Sequence, residues 1–253
     1  MFTYLYLHGF ASGPSSSKAE YFAARFAEAG VALNTPQLDG GDFEAMTISS
    51  QLHELERAAG SGPVRLIGSS LGGWLAALHA SRNPAVDRVV LLAPAFGFVS
   101  LFAEMLGPEK MSQWERTGST PVFHYASGRE RLLSFRFFED AQQYPLFPDF
   151  VQPSLIIHGI RDDTVPVQNS IHYANHHPNV DLVTLDSGHE LTDVTDRLWR
   201  ETREFFQVVS AAHKACRQDE YGLWNCGILH LLFVLNLIKG ADFALFQFLQ
   251  LAG

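Results

Sequence analysis

Apolar residues in this chain follow two alternating rhythms. Short, mostly apolar runs at Phe2 to Leu7, Pro63 to Ile67, Val86 to Ala93, Pro153 to Ile157 and Val180 to Leu185 read as strands. Val31 to Asn34 is a further short strand candidate, and Val180 to Leu185 is read as the last strand. Between the runs, apolar residues recur every third or fourth position. Ala19, Phe22, Ala23 and Phe26 do so after Ser17, whose spacing to Glu20 is that of a capping box, and Gly30 sits where a C-cap glycine belongs. Ile48, Leu52, Leu55 and Ala59 follow Thr47, and Gly60 to Pro63 stops that helix. Trp74 to Ser81, Val167 to His177 and Asp193 to Val209 complete the helical set, the last with Leu198, Phe205 and Val209 among its buried candidates. Alternation of this kind predicts an α/β chain in three layers, a mostly parallel sheet with helices on both faces. Residues 95–150 break the rhythm: they carry Phe96, Phe98, Phe102 and Trp114 and a hairpin-like turn at Ser127-Gly128. They are expected to form a small cap-like insertion covering the sheet edge. The division predicted is a domain over 1–210 and an apolar C-terminal extension of unknown role over 211–253.

Composition narrows the function classes. At 253 residues the chain has room for one large domain or two small ones, and an apolar content of 47% supplies a core. A net charge of −9 argues against a nucleic-acid groove or an anionic membrane surface as main partner. Cys216 and Cys226 are too few for a disulfide framework or a cysteine zinc site. The first residues lack a basic segment and a cleavage site, so a reducing cytoplasm is the simplest expected location. From Gly222 to Gly253 the charged residues are Lys239 and Asp242 alone. Even there, the apolar run Gly227 to Ile238 is shorter than the about 20 residues a spanning helix needs, so no membrane span is expected. Two short packed helices, a self-association surface or a non-native extension are the open readings of that tail.

The chemistry centres on Gly68-Ser69-Ser70-Leu71-Gly72-Gly73, which contains Gly-x-Ser-x-Gly. A serine between a strand and a helix on so tight a turn projects its hydroxyl from the sheet in strained geometry. The bland alternative is a glycine-rich turn with an incidental serine. Ser70 needs a base, and His189 in Asp186-Ser-Gly-His-Glu190 follows the last strand. The imidazole in turn needs an orienting group, and Asp162 and Asp163 follow the strand before it. The competing readings are a solvated loop histidine, one of eleven, and an Asx turn or helix cap. Asp163 is expected to point away from His189 and to be available as a cap. His8, Ser70, Asp162 and His189 all fall just after predicted strands, hence on one edge of the sheet, where ligands of such sheets bind. Rival sites are weaker. His172, His176 and His177 share a helix without the His-Glu-x-x-His pattern, and neither a dinucleotide fingerprint nor a phosphate loop is present. No metal or organic cofactor is implied.

The order Ser, Asp, His, the elbow, His158-Gly-x-x-Asp162-x-x-Val165-Pro166 and Ser187-Gly-His189 together resemble the α/β-hydrolase fold. More narrowly, Tyr6-Leu-His-Gly-Phe-Ala-Ser-Gly-Pro14-x-Ser-x-Lys18-Ala19 resembles the small bacterial esterases of the YqiA/YcfP type. The resemblance runs over about residues 2 to 209, strongest at the motifs and weakest over 95–150. It implies Ser70 as nucleophile, His189 as base, Asp162 as orienter, and the backbone N–H groups of Phe10 and Leu71 as oxyanion hole. The expected activity is cleavage of carboxylic esters through an acyl-enzyme. The short aromatic insertion suggests an open apolar pocket for short or medium acyl groups and poor amide hydrolysis. An acyl-thioesterase, or a non-catalytic binding protein on the same fold, are the alternatives.

Overall fold

The computed structural model describes residues 2–209 throughout and, beyond them, only the backbone of two short segments, 216–218 and 224–226. In chain order the elements are β1 (Thr3–Leu7), α1 (Ser17–Glu28), α2 (Ile48–Ala59), β2 (Val64–Ser69), α3 (Leu71–Ala80) and β3 (Val86–Leu92). There follow α4 (Phe98–Leu106), α5 (Pro108–Thr117), β4 (Ser119–His124), β5 (Arg129–Ser134) and α6 (Arg136–Ala141). The chain then returns to strand–helix alternation with β6 (Ser154–Gly159), α7 (Val167–His176), β7 (Val180–Leu185), a single 3-10 turn at Thr192–Val194 and α8 (Thr195–Phe205).

Five strands pair side by side in the order β1-β2-β3-β6-β7, all parallel. Parallel strands need crossover helices, and these cover both faces. Alternation along β1 displays the two layers. Leu5 and Leu7 point into the core shared with α2 and α3. Tyr4 and Tyr6 point the other way, their rings 5.3 Å from Phe26 and 5.7 Å from Phe22 of α1, while Trp199 of α8 lies 5.2 Å from Phe26. The three-layer α/β/α reading is therefore correct. On the α1/α8 face of β2 the buried Arg65 is paired: Nε donates to Asp87 at 2.7 Å, one terminal nitrogen donates to the Phe206 carbonyl, and the guanidinium lies over Phe2.

Local chemistry sets the helix ends. Thr47 caps α2 reciprocally with Ser50, and Gly60 ends it at φ +66°. In α1 the Glu20 N–H bonds to the Ser16 carbonyl, so Ser17 lies inside the first turn rather than capping it. Three further expectations are corrected. Val31 to Asn34 is not a strand: Asn34 alone bridges to β1, and Pro36, two residues on, has no N–H to extend a ladder. The apolar face of the closing helix ends early, because α8 stops at Phe205 and the chain turns at Gln207 with φ +54°. Phe206 and Val208 are buried in place of Val209, which is exposed. Val180–Leu185 is the last strand of the main sheet but not of the chain, since a short antiparallel pair, β8 (Cys216–Gln218) and β9 (Trp224–Cys226), follows.

Residues 95–150 form α4, α5, the antiparallel β4–β5 hairpin and α6. This insertion packs on the N-terminal part of α3: Trp74 donates to the Pro145 carbonyl at 3.0 Å and stacks on Phe98 at 5.6 Å. It also surrounds Phe10, whose ring lies 5.4 Å from Phe102 and 5.5 Å from Phe137. Among the described residues no helix is long and apolar enough to cross a membrane.

The chain groups into two compact units, one of Met1–Ala27 with Val31–Val208, the other of Glu28–Gly30 with Val209–Gly253. The first holds the whole five-stranded sheet; β8 and β9 are the described strands of the second. The predicted tail helices and self-association surface lie outside the described residues. We propose that the boundary near residue 210 separates a self-sufficient domain from an extension. A chain ended after about residue 212 is then expected to stay soluble, with the melting behaviour and activity of the full chain. Insolubility or inactivity of the shortened chain alone overturns that division.

Candidate active site

Ser70 sits between β2 and α3 with φ +53° and ψ −117°, a left-handed backbone that serine adopts only under constraint. Four hydrogen bonds supply the constraint. Its N–H donates to Leu92 at 2.9 Å, and its carbonyl accepts from Gly73, Trp74 and Ala95 at 2.9, 3.2 and 3.0 Å. The flanking glycines are required sterically. A Cβ on Gly68 would lie 2.3 Å from the Gly72 carbonyl oxygen, and one on Gly72 would lie 2.2 Å from the Leu7 carbonyl oxygen. Non-glycine residues with positive φ gather past the carboxyl ends of the strands: Ala11, Ser70, Ala93 and Leu191.

Three of the four residues predicted for this edge come together. His189 Nε2 lies 3.0 Å from Ser70 Oγ, and His189 Nδ1 lies 2.7 Å from Asp162 Oδ2. Asp162 follows β6, and its side chain is fully buried. Its second oxygen, Oδ1, accepts the N–H groups of Thr164 and Val165 at 2.9 and 2.8 Å. Burial pushes the Asp162 pKa up, but hydrogen bonds from His158, His189 and the Val165 N–H outweigh it and hold the carboxyl well below the usual range. Asp162 therefore stays an anion, and an anionic acceptor at Nδ1 keeps that nitrogen protonated. The free lone pair of His189 then lies on Nε2, toward Ser70, the arrangement needed to accept a hydroxyl proton.

Asp163 is exposed, and among the described residues it accepts only from the Thr164 hydroxyl at 3.3 Å. It does not cap α7, whose N-cap is Pro166 with no side-chain bond. His8 turns away from Ser70: Nδ1 donates to the Gly9 carbonyl at 3.0 Å, and Nε2 faces the Leu38 N–H at 3.5 Å. It shapes the loop that brings Gly9 against Ser70, where an added Cβ would be 3.5 Å from the serine Cβ. Phe10 follows at once, and Leu71 opens α3. Among the described residues neither the Phe10 nor the Leu71 N–H has a protein acceptor. The free N–H groups at the start of α3 also carry its positive dipole end.

Sequence reasoning did not single out His158. It is completely buried, and Nε2 lies 3.0 Å from both Asp162 Oδ2 and the Val165 carbonyl. Both partners are acceptors, so Nε2 carries a proton, and Nδ1 is hydrogen-bonded to the Ser170 hydroxyl at 2.7 Å. The available signal was a histidine ending an apolar strand, four residues before an aspartate. His172, His176 and His177 serve the fold instead: His176 bonds the His172 carbonyl, and His177 bonds the Tyr173 carbonyl and Asp149. Among the described residues no group of three or more His, Cys, Asp or Glu is placed to hold a metal ion.

This fold, with its elbow after the second strand, is the α/β-hydrolase fold. Within it the chain belongs to the family described as Uncharacterised protein family (UPF0227), whose model matches residues 3–207. Among curated proteins it is similar to the mitochondrial palmitoyl-protein thioesterase ABHD10 of Mus musculus, 30% identical over 145 residues, covering 53% of this chain and 48% of that protein. The chain thus spans about half the length of the curated relatives it matches. Among solved structures it resembles mouse alpha/beta hydrolase domain-containing protein 10, with a TM-score of 0.68 at 21% identity over 81% of this chain and 89% of that one. It also resembles Est1E from Butyrivibrio proteoclasticus with ferulic acid bound, with a TM-score of 0.67 at 20% identity over 82% and 88%.

Proposed function

We propose that this protein is a serine hydrolase that cleaves carboxylic esters through an acyl-enzyme. The observation that carries the reading is the continuous chain Asp162–His189–Ser70, 2.7 and 3.0 Å long, ending at a serine held in strained backbone geometry. Ser70 Oγ attacks the acyl carbon while His189 Nε2 takes its proton. The negative charge developing on the carbonyl oxygen is met by the N–H groups of Phe10 and Leu71. Collapse of the tetrahedral species expels the alcohol, which receives the proton from His189. Water, activated by the same imidazole, then releases the acid. Asp162 fixes the tautomer and stabilises the imidazolium, and no cofactor takes part.

The half-buried Phe10 ring is backed by the buried Phe102 and Phe137, so the ring next to the proposed oxyanion donor is apolar. An apolar acyl group of short or medium length, on a small-molecule substrate rather than a peptide, is the reading that the short aromatic insertion suggests. A thioester reading is favoured by the murine relative, which is named a palmitoyl-protein thioesterase. The chemistry would be the same with a thiolate leaving group. Location in the cytoplasm rests on the sequence alone, and that relative is named mitochondrial.

A fluorophosphonate probe and a panel of esters and thioesters of graded acyl length test the proposal. The expected result is one covalent adduct, on Ser70, with turnover greatest for short or medium esters. A folded protein that is neither labelled nor active would be a binding protein on the same fold. Efficient peptide hydrolysis, with esters no better, would make it a peptidase of this fold.

A further inference from the structure

Lys18 is the charge that the proposed chemistry does not use. It lies in the first turn of α1, the end of a helix where a cation meets the positive pole of the macrodipole. Its side chain is only 10% exposed, although lysine is almost never buried without a partner. Burial lowers its pKa, opposed by the charges of Glu190 and Asp162. A residue so placed costs folding free energy, and its partners indicate what offsets the cost.

The ammonium donates to the Glu190 backbone carbonyl, and the Glu190 carboxylate lies 3.9 Å away, largely in solvent. Glu190 is the residue after His189. Among the described residues, Lys18 is the one side chain whose hydrogen bond reaches the backbone of Gly188, His189 or Glu190. The next residue, the buried Leu191, is left-handed at φ +53°. A non-glycine residue keeps that conformation only where its surroundings over-determine it. The upstream end of the turn is held differently: Ser187 donates its hydroxyl to Asp193, and its carbonyl accepts the Arg161 N–H at 3.0 Å.

We propose that Lys18 is a positioning residue whose buried ammonium clamps the Glu190 carbonyl and so holds the His189 imidazole between Asp162 and Ser70. The inference rests on the reading of His189 as the base. It ties the base's loop to the first turn of α1, 172 residues away in sequence from Glu190. A cation is suited to the task because its hydrogen bond to a carbonyl is charge-assisted, stronger than a neutral donor would make.

Full-length Lys18→Met and Lys18→Arg are compared with wild type in two measurements: steady-state hydrolysis of 4-nitrophenyl acetate, and the downfield proton NMR signal of the His189 Nδ1–H, assigned by its loss in His189→Ala. In Lys18→Met, kcat is expected to fall by about 10²-fold with KM unchanged, since the imidazole is displaced while the acyl site is intact. The NMR signal should broaden or vanish, and Lys18→Arg should restore both. A folded Lys18→Met with wild-type kcat, or with an unchanged NMR signal, overturns the proposal. If circular dichroism shows that Lys18→Met does not fold, Lys18→Arg decides: wild-type signal and kcat support the clamp, and loss of both in a folded variant overturns it. Wild type inactive on every ester would defeat the hydrolase reading instead, while the NMR comparison would still decide the clamp.

Discussion

Replacing Ser70 with alanine is expected to lower kcat for a 4-nitrophenyl ester by about 10⁶-fold, His189→Ala by about as much, and the double replacement by no more than either. In the proposed mechanism a single proton passes across the 3.0 Å contact between Ser70 Oγ and His189 Nε2. Without the hydroxyl there is no nucleophile for the imidazole to activate. Without the imidazole the hydroxyl keeps its proton at neutral pH and attacks poorly. Either loss removes the whole covalent pathway. On this proposal what remains is water attack on an ester polarised by the Phe10 and Leu71 N–H groups, a residual rate common to all three variants. Single-turnover assays at high enzyme concentration, with circular dichroism to verify folding, measure it. Losses that multiply in the double variant would mean that the two residues act separately, and near wild-type activity of Ser70→Ala would place the nucleophile elsewhere.

The parts of this protein that were legible in the sequence are those where a steric or periodic rule leaves few choices. Gly68 and Gly72 are readable because any Cβ there would strike backbone at 2.3 and 2.2 Å. The central strands are readable because burial on both faces demands mostly apolar runs, as in β2 and β6, where every residue is buried. The parallel alternation then puts Ser70, Asp162 and His189 at one sheet edge, which topology alone dictates. Other features depend on partners distant in the chain, and sequence periodicity carries no record of them. Val31 to Asn34 has strand-like composition, yet Asn34 alone meets β1. Lys18 looks like an ordinary polar residue of a helix's first turn, and its burial follows from a contact 172 residues away. His158 was one histidine among eleven, and its burial between Asp162 and Ser170 arises only when β6 and α7 pack. The cap was legible at its turn alone, because its hairpin exposes Phe123 and Leu132 and so blurs the apolar alternation.

Asp162→Asn is expected to lower kcat by about 10⁴-fold, whereas Asp163→Asn should leave it nearly unchanged. The Thr164 and Val165 N–H groups both point at Asp162 Oδ1, so an asparagine there must turn its carbonyl oxygen toward them. Its NH2 group then occupies the place of Oδ2 and faces His189 Nδ1. Two donors cannot meet, so Nδ1 becomes the acceptor and the ring proton moves to Nε2. That nitrogen now presents a proton to Ser70 instead of a lone pair, and general-base catalysis stops without any displacement of the ring. The same NH2 group confronts the Nε2 proton of His158, so His158 must give up either its bond to residue 162 or that proton and with it the bond to the Val165 carbonyl. The variant should therefore also be less stable at neutral pH. The sign follows from the carboxylate. The folded-state pKa of Asp162 lies below its unfolded value, so its ionisation stabilises the fold fully above about pH 4 and ceases to do so as pH falls through the folded value. The melting-temperature gap between wild type and Asp162→Asn should accordingly be greatest near neutrality and narrow below about pH 4. Asp163 faces solvent and, among the described residues, accepts only from the neighbouring hydroxyl, so its amide variant should match wild type in both kcat and melting temperature. The opposite ranking of the two aspartates in kcat would move the orienting carboxylate by one residue and refute the assignment of the ring proton to His189 Nδ1.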